Sequence, residues 1–136
     1  MIDMWTKNIF TSVYSRVSAN GRIRLISKYP KINFTNSTPK SKITAFPTVI
    51  ITKLQGSEVG KDIEQSFVNG VISNIQIEVI TNTSQEDSDY IADVCLDLMK
   101  TLRYEMVGEP YSNTTQENEY RNISRYRREV DYGDVI

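Results

Sequence analysis

The sequence predicts an α+β fold: a mixed or antiparallel β-sheet of about four to five strands with two helices packed on one face. Three observations carry this. Ile and Val fill 27 of the 136 positions, whereas Leu and Ala fill only eight, a β-branched bias that favours strands over a helical bundle. Two segments repeat apolar residues at spacings of three and four, the period of an amphipathic helix. Two others, residues 48–54 and 73–81, are β-branched or strictly alternating, as strands are. The length suits one domain, 1–136, and there is no internal repeat.

The first helix is expected from about Asp3 to Ser18. Ile2, Trp5, Ile9, Phe10, Val13, Tyr14 and Val17 line one face, Asp3 is a possible N-cap and Asn20-Gly21 a stop. Residues 22–29 read equally as a short helix or an alternating strand, and Pro30 forces Tyr29 into an extended backbone. Residues 32–35 alternate as a short strand, and residues 36–42 read as a loop. Phe46-Pro47 leads into a strand from Thr48 to Leu54, with the proline at its start, where a missing N–H is tolerated.

Residues 55–72 contain three glycines and mixed charge. So long a connection is expected to be functional, unordered when alone, or a long hairpin. In residues 73–81, Ile75, Ile77 and Val79 share one side and Gln76 and Glu78 the other. Ser84 and Asp87 then resemble a capping box opening a second helix that runs to about Tyr104. Its apolar face carries Tyr90, Ile91, Val94, Cys95, Leu98, Met99 and Leu102, and Asp89, Asp93 and Asp97 form a ridge opposite. Residues 105–112 suggest a short strand cut by Pro110, and residues 113–119 a polar loop. Residues 120–130 suggest a last strand, with Arg121, Ile123, Arg125 and Arg127 on one face and Tyr120, Tyr126 and Val130 on the other. The tail at 131–136 is expected to be loose.

Composition excludes several chemistries. The chain has no histidine and one cysteine, so it makes no disulfide within itself, no Cys/His zinc site and no imidazole relay. No apolar run approaches 18 residues, so no membrane span is expected. The N-terminus lacks the apolar core of a signal peptide, and a cytoplasmic origin is expected. Asp89 and Asp97 would lie about 12 Å apart along a helix, too far to share one octahedral ion, so the acidic ridge reads as a solvated or partner-facing surface. Cys95 lies on the apolar face and reads as a small core hydrophobe. Gly56, Gly60 and Gly70 form no phosphate-binding motif. No constellation resembles an active site; the chain is expected not to be an enzyme and to hold no cofactor or metal.

The net charge of −1 conceals a strong polarity. Residues 1–57 carry nine Lys/Arg against one acid, and residues 58–119 carry three against thirteen. Either the two parts neutralise each other within one domain, or basic and acidic surfaces meet between copies in a head-to-tail contact that can close into a ring. The arginines of the last strand, Arg121, Arg125, Arg127 and Arg128, also have two readings. With interleaved tyrosines they can contact nucleic acid, or they can pair with acidic neighbours, for which the guanidinium fork is well shaped.

The order of these pieces resembles a known family. A leading helix precedes Phe46-Pro47-Thr48-Val49-Ile50-Ile51 and a long variable stretch. A strand ending Ile77-Glu78-Val79-Ile80-Thr81-Asn82 is followed at once by a helix with Ile91-Ala92-Asp93, and a closing strand carries Tyr120-Arg121 and Arg125-Tyr126-Arg127. Over roughly residues 1–130 this layout resembles the tail-terminator, or tail-completion, proteins of long-tailed bacteriophages. The resemblance implies a structural virion protein made in the host cytoplasm and carried in the tail or neck. It implies a homo-oligomeric ring, a hexamer, that caps the tail tube, stops polymerisation of the tube protein and presents a surface to the head-completion or connector protein. The genomic DNA would make transient contact with its lumen. Glu58, Lys61, Asp62, Glu64 and Phe67, with Asp89, Asp93 and Asp97, are then candidates for subunit or tube contacts. Arg121, Arg125, Arg127 and Arg128 are candidates for the lumen or for the contact between subunits. A Phe67→Asp change is expected to spare the fold and weaken assembly. Another neck component, a small nucleic-acid-binding domain and a small carboxylate-dependent enzyme are the alternatives.

Overall fold

The computed structural model describes residues 7–37, 45–61, 68–113 and 119–131. Its elements run α1 (Lys7–Leu25), β1 (Asn33–Thr35), β2 (Thr48–Lys61), β3 (Val68–Thr81), α2 (Gln85–Thr101), β4 (Glu105–Met106), β5 (Tyr111–Asn113) and β6 (Tyr120–Asp131). The strands form one open sheet in the order β1-β2-β3-β6-β4, with β5 also paired to β6. β1 runs parallel to β2 and every other pair is antiparallel, so the α+β class with a mixed sheet is as expected. The sheet has six strands because residues 105–113 give two short ones, separated by Gly108 in a left-handed conformation (φ +69°) and by Pro110.

α1 continues one turn past the Asn20-Gly21 stop expected from sequence. Gly21 is kept helical by packing: a side chain there would place Cβ 2.8 Å from Phe34 Cζ and 3.7 Å from Leu98 Cδ1. The close approach of β1 and α2 to α1 requires a glycine at this point, which outweighs its weak helix propensity. Residues 22–29 are accordingly the last helical turn and a tight turn after it, where the Tyr29 N–H donates to the Leu25 carbonyl over 2.7 Å. Ile9, Val13, Val17 and Leu25 are buried at spacings of four and eight. The expected N-cap Asp3, with Ile2 and Trp5, lies outside the described residues.

β2 and β3 form a long hairpin, so most of the connection expected at 55–72 is strand; residues 62–67 lie outside the described residues. The pairing runs from Thr48↔Ile80 to Lys61↔Val68, and a register shift between Leu54 and Ser57 marks a bulge near Gly56. β6 continues the sheet with Ile75 opposite Tyr126, Ile77 opposite Ser124 and Val79 opposite Asn122. Phe34, Val49, Ile51, Ile75, Ile77, Val79 and Tyr126 thus share one face, and they join the buried side chains of α1 and α2 in one core. Fully burying each such Ile or Val contributes about 1.5–3 kcal/mol before conformational entropy is charged against it.

Ser84 is the N-cap of α2, its hydroxyl accepting the Asp87 N–H at 3.1 Å. The Asp87 carboxylate also accepts hydroxyls from Thr83 and from Tyr29, the latter at 2.8 Å. These bonds, Thr83 first and then Tyr29, hold its pKa below the usual carboxylate range. Lys28 Nζ lies 4.1 Å above the Tyr90 ring, which closes the junction between the two helices. Tyr90 is 43% exposed, at the margin of the apolar face instead of within it. α2 ends at Thr101, earlier than expected, because Arg103 adopts a left-handed backbone (φ 66°) and turns Leu102 and Tyr104 back into the core.

Candidate functional site

The face of the sheet away from the helices is where the chain's arginines and its polar β3 residues come together. Alternation sets this up: with Ile75, Ile77 and Val79 turned inward, Asn74, Gln76 and Glu78 turn outward. Register sets the neighbours, Arg125 opposite Gln76, Arg127 opposite Asn74 and Ile123 opposite Glu78. Arg125 Nε donates to Gln76 Oε1 over 3.1 Å. Arg121, diagonal to Glu78, donates to its carboxylate at 2.5 Å and to that of Glu119 at 3.1 Å. These side chains are only 21%, 16% and 7% exposed, so water screens the pairs poorly. Arg121 Nε is buried with no hydrogen-bond partner among the described residues.

The four predicted arginines therefore do three different things. Arg121 is committed to two glutamates. Arg125 and Arg127 are exposed on the same face, and Arg127 stands between Asn74 on β3 and Glu105 on β4. Arg128 is on the opposite face beside Tyr126 and Val130, 7% exposed, and donates to the Leu102 carbonyl at 3.1 Å. Strand alternation separates Arg127 from Arg128, so the two cannot serve one surface.

The acidic ridge divides as well. Asp93 and Asp97 are exposed, and Asp97 pairs with Arg24 of α1 at 3.5 Å, a solvent-exposed contact of small worth. Asp89 is half-buried and accepts the side-chain amides of Asn122 at 2.8 Å and Gln85 at 3.1 Å. It ties α2 to β6. Ser88, fully buried, donates to the Tyr120 carbonyl at 2.7 Å and lies 2.9 Å from Thr81 Oγ1, which continues the same polar seam. Glu58 and Lys61 lie on the far half of β2; Asp62, Glu64 and Phe67 lie outside the described residues.

Cys95 is fully buried, and burial pushes its thiol up to about 12, so at neutral pH it is a protonated core residue. Among the described residues no three Asp, Glu or Cys side chains are placed to hold a metal ion. No described helix is long and apolar enough to cross a membrane. A shallow groove of about 240 Å³ between the helices, lined by Arg16, Val17, Asn20, Leu98, Thr101 and Leu102, presents neither a nucleophile nor an acid–base pair.

Glu119, Gln76 and Asn122, which with Glu78 organise these contacts, carry no motif in the sequence, and Glu78 enters only within the strand ending Ile77-Glu78-Val79-Ile80-Thr81-Asn82. Glu78 and Gln76 could be placed on the outward side by alternation, but their partners depend on the register of β6 against β3, which sequence does not encode locally. Compared with protein-family models and with curated proteins, the chain matches none.

Proposed function

We propose that this chain is a structural subunit resembling phage tail terminators: it assembles with its own copies into a ring, a hexamer, on the end of a tail tube. There it stops addition of tube protein, offers a surface to the head-completion or connector protein and lets DNA pass through its lumen. It works by shape and charge, with no chemical step, in the tail or neck of a virion.

The observation that carries this reading is the open sheet. β1 pairs with β2 only over Thr48, Val49 and Ile50, so residues 51–61 have no strand beside them on that edge among the described residues. An edge of eleven residues spans about 35 Å, and proteins cover or charge such edges because they template association. The edge runs along one arm of a hairpin whose arms are fourteen residues each, and its Thr52 and Leu54 lie two strands across the sheet from the exposed Arg125 and Arg127. A subunit that completes its sheet edge against neighbours or a tube fits this arrangement better than a monomeric enzyme does.

The test is electron microscopy of the protein added to purified tail tubes that lack a terminator. Density on one tube end, with length held constant when free tube protein is supplied, is the expected result. Bare tubes that continue to grow would overturn the reading and shift weight to another neck component. The exposed arginine pair keeps a nucleic-acid-binding domain as the second reading, which predicts DNA affinity that falls steeply with salt.

A further inference from the structure

The end of α1 and the turn after it form a basic surface. α1 holds four basic residues and no acid, and Lys28 and Lys31 follow it. Arg16, Arg22, Arg24, Lys28 and Lys31 are all exposed. Among them stand two large apolar side chains that the core leaves out, Ile23 at 74% and Ile26 at 44% exposure. Val13, Val17 and Leu25 are buried and fix the inward side of the helix, so Ile23 points away from it. The Ile26 N–H donates to the Arg22 carbonyl over 2.9 Å, which sets Ile26 a turn beyond Ile23 and beside it. Single exposed apolar side chains are ordinary, but two together inside a rim of cations mark a contact surface.

Little of this charge is neutralised within the chain. Arg24 meets Asp97 at 3.5 Å in an exposed pair of small worth. Lys28 sits over the Tyr90 ring, while the Asp87 carboxylate at this junction accepts the Thr83 and Tyr29 hydroxyls. Arg22 lies 5.8 Å from the Phe34 ring centre and donates to the Ile32 carbonyl at 3.5 Å, contacts that hold the side chain and keep its charge. Among the described residues Arg16, Arg22 and Lys31 enter no ion pair.

Charge decides what can cover the two isoleucines. A two-fold pairing of α1 with α1 sets cation against cation. The exposed acids of another copy bring cations of their own: Asp97 has Arg24 beside it, Glu105 is the register partner of Arg127, and Lys100 and Arg103 are exposed between them in sequence. A lipid surface needs an apolar face along the helix, whereas the exposed residues on the turns before Ile23 are Thr11, Ser15 and Ala19. Nucleic acid would use the cations through its phosphates and leave the isoleucines in water.

We propose that the end of α1 docks an acidic segment of a different protein, one that sets apolar side chains among carboxylates. Ile23 and Ile26 form the centre of the contact, and Arg16, Arg22 and Lys31 surround it. Burying the isoleucines supplies the apolar core of such an interface, with the charges at its rim. The cations steer the encounter and reject basic partners. The contact goes beyond the ring reading and requires neither ring closure nor a tube end.

The test sets the full chain against a displayed library of peptides in which Leu or Phe is fixed and the flanking positions are drawn from Asp, Glu, Asn and Lys. The expected winners are rich in Asp and Glu, bind less tightly as salt rises, and protect the amides at the end of α1 from exchange. Ile23→Asp should weaken a winner's binding about tenfold or more with an unchanged melting curve, as befits a residue so exposed, and Ile23→Leu should retain it. Lys-rich winners, no enrichment, or winners that bind Ile23→Asp as tightly as the wild type would overturn the proposal. Self-association in sedimentation that Ile23→Asp abolishes would assign the surface to a second copy and overturn it. So would binding to phosphatidylglycerol vesicles or to duplex DNA that Ile23→Asp abolishes, with no acidic winner. Capping of tube ends by the wild-type chain is read in its own assay, so the ring reading stands or falls separately.

Discussion

Asn122 on β6 donates its side-chain amide to the Asp89 carboxylate on α2 over 2.8 Å, and this bond spans the layer between helix and sheet. Asn122 is 6% exposed, and Gln85 shares the same carboxylate oxygen. Asn122→Ala removes a charge-assisted donor from a carboxylate that has little water to replace it. The expected cost is about 1–3 kcal/mol, read as a lower urea midpoint with an unchanged slope. Asp89→Asn keeps the shape and should cost less than Asn122→Ala; a larger loss would mean that the bond is not what holds the seam.

Gly21 and the Phe34 ring are in direct competition for space, since a Cβ at Gly21 would stand 2.8 Å from Cζ and 3.1 Å from Cε2. Gly21→Ala gains about 1 kcal/mol of intrinsic helix propensity. Gly21→Val adds branching to the clash and should destabilise by about 1–3 kcal/mol. Phe34→Leu, made in the same chain, removes the ring edge and should recover part of that loss. A double-mutant cycle by chemical denaturation measures the coupling, and a value near zero would show that α1 and β1 do not press on each other at this point.

Much of the architecture was legible because the core obeys local periodicity. Val13 and Val17 on α1, Ile75, Ile77 and Val79 on β3, and Ile91, Cys95 and Leu98 on α2 are buried where spacing alone puts them. Gly21 was misread as a stop because its role is set by Phe34, thirteen residues on, and helix rules see only the neighbouring turns. For residues 55–72 the sequence leaves a long hairpin as one of three readings, because bulge and turn residues interrupt the alternation; pairing across the hairpin carries the strands through. The arginines were grouped by nearness in sequence, but alternation turns Arg128 inward to the Leu102 carbonyl while Arg127 stays outside. Nothing local distinguishes Arg121, whose partners Glu78 and Glu119 depend on the β3–β6 register.

Cys95 and Tyr126 are both buried, and both hold their protons to about pH 12, Cys95 from an ordinary value of 9.0 and Tyr126 from 10.0. A pKa raised on folding means that the folded chain keeps a proton the unfolded chain gives up. Their contribution is therefore full below pH 9 and is lost as pH rises from 9 towards 12, at up to about 1.4 kcal/mol per pH unit for each group. Alkaline denaturation curves should show this fall, and Cys95→Ala should flatten its first part. A fall of unchanged steepness in that variant would remove the thiol from the explanation. By the same burial, a thiol reagent should label the wild-type chain only as fast as it unfolds.

Arg121 and Arg127 test whether one strand face holds separate structural and surface arginines. Arg121 neutralises Glu78 and Glu119, whose side chains are 16% and 7% exposed. Arg121→Gln leaves two poorly hydrated carboxylates close together without their cation and should cost about 3 kcal/mol. High salt should recover little of it, because screening acts weakly on shielded charges. Arg127 is exposed, so Arg127→Gln should shift stability by no more than about 0.5 kcal/mol. If the outward face meets tube, neighbour or DNA, Arg127→Gln, alone or with Arg125→Gln, should nonetheless impair capping of tube ends. Thermal and urea unfolding beside the tube-end assay separates the two effects. Equal stability losses at Arg121 and Arg127 would refute the division, and full capping by the Arg125/Arg127 double variant would take this face out of the assembly mechanism.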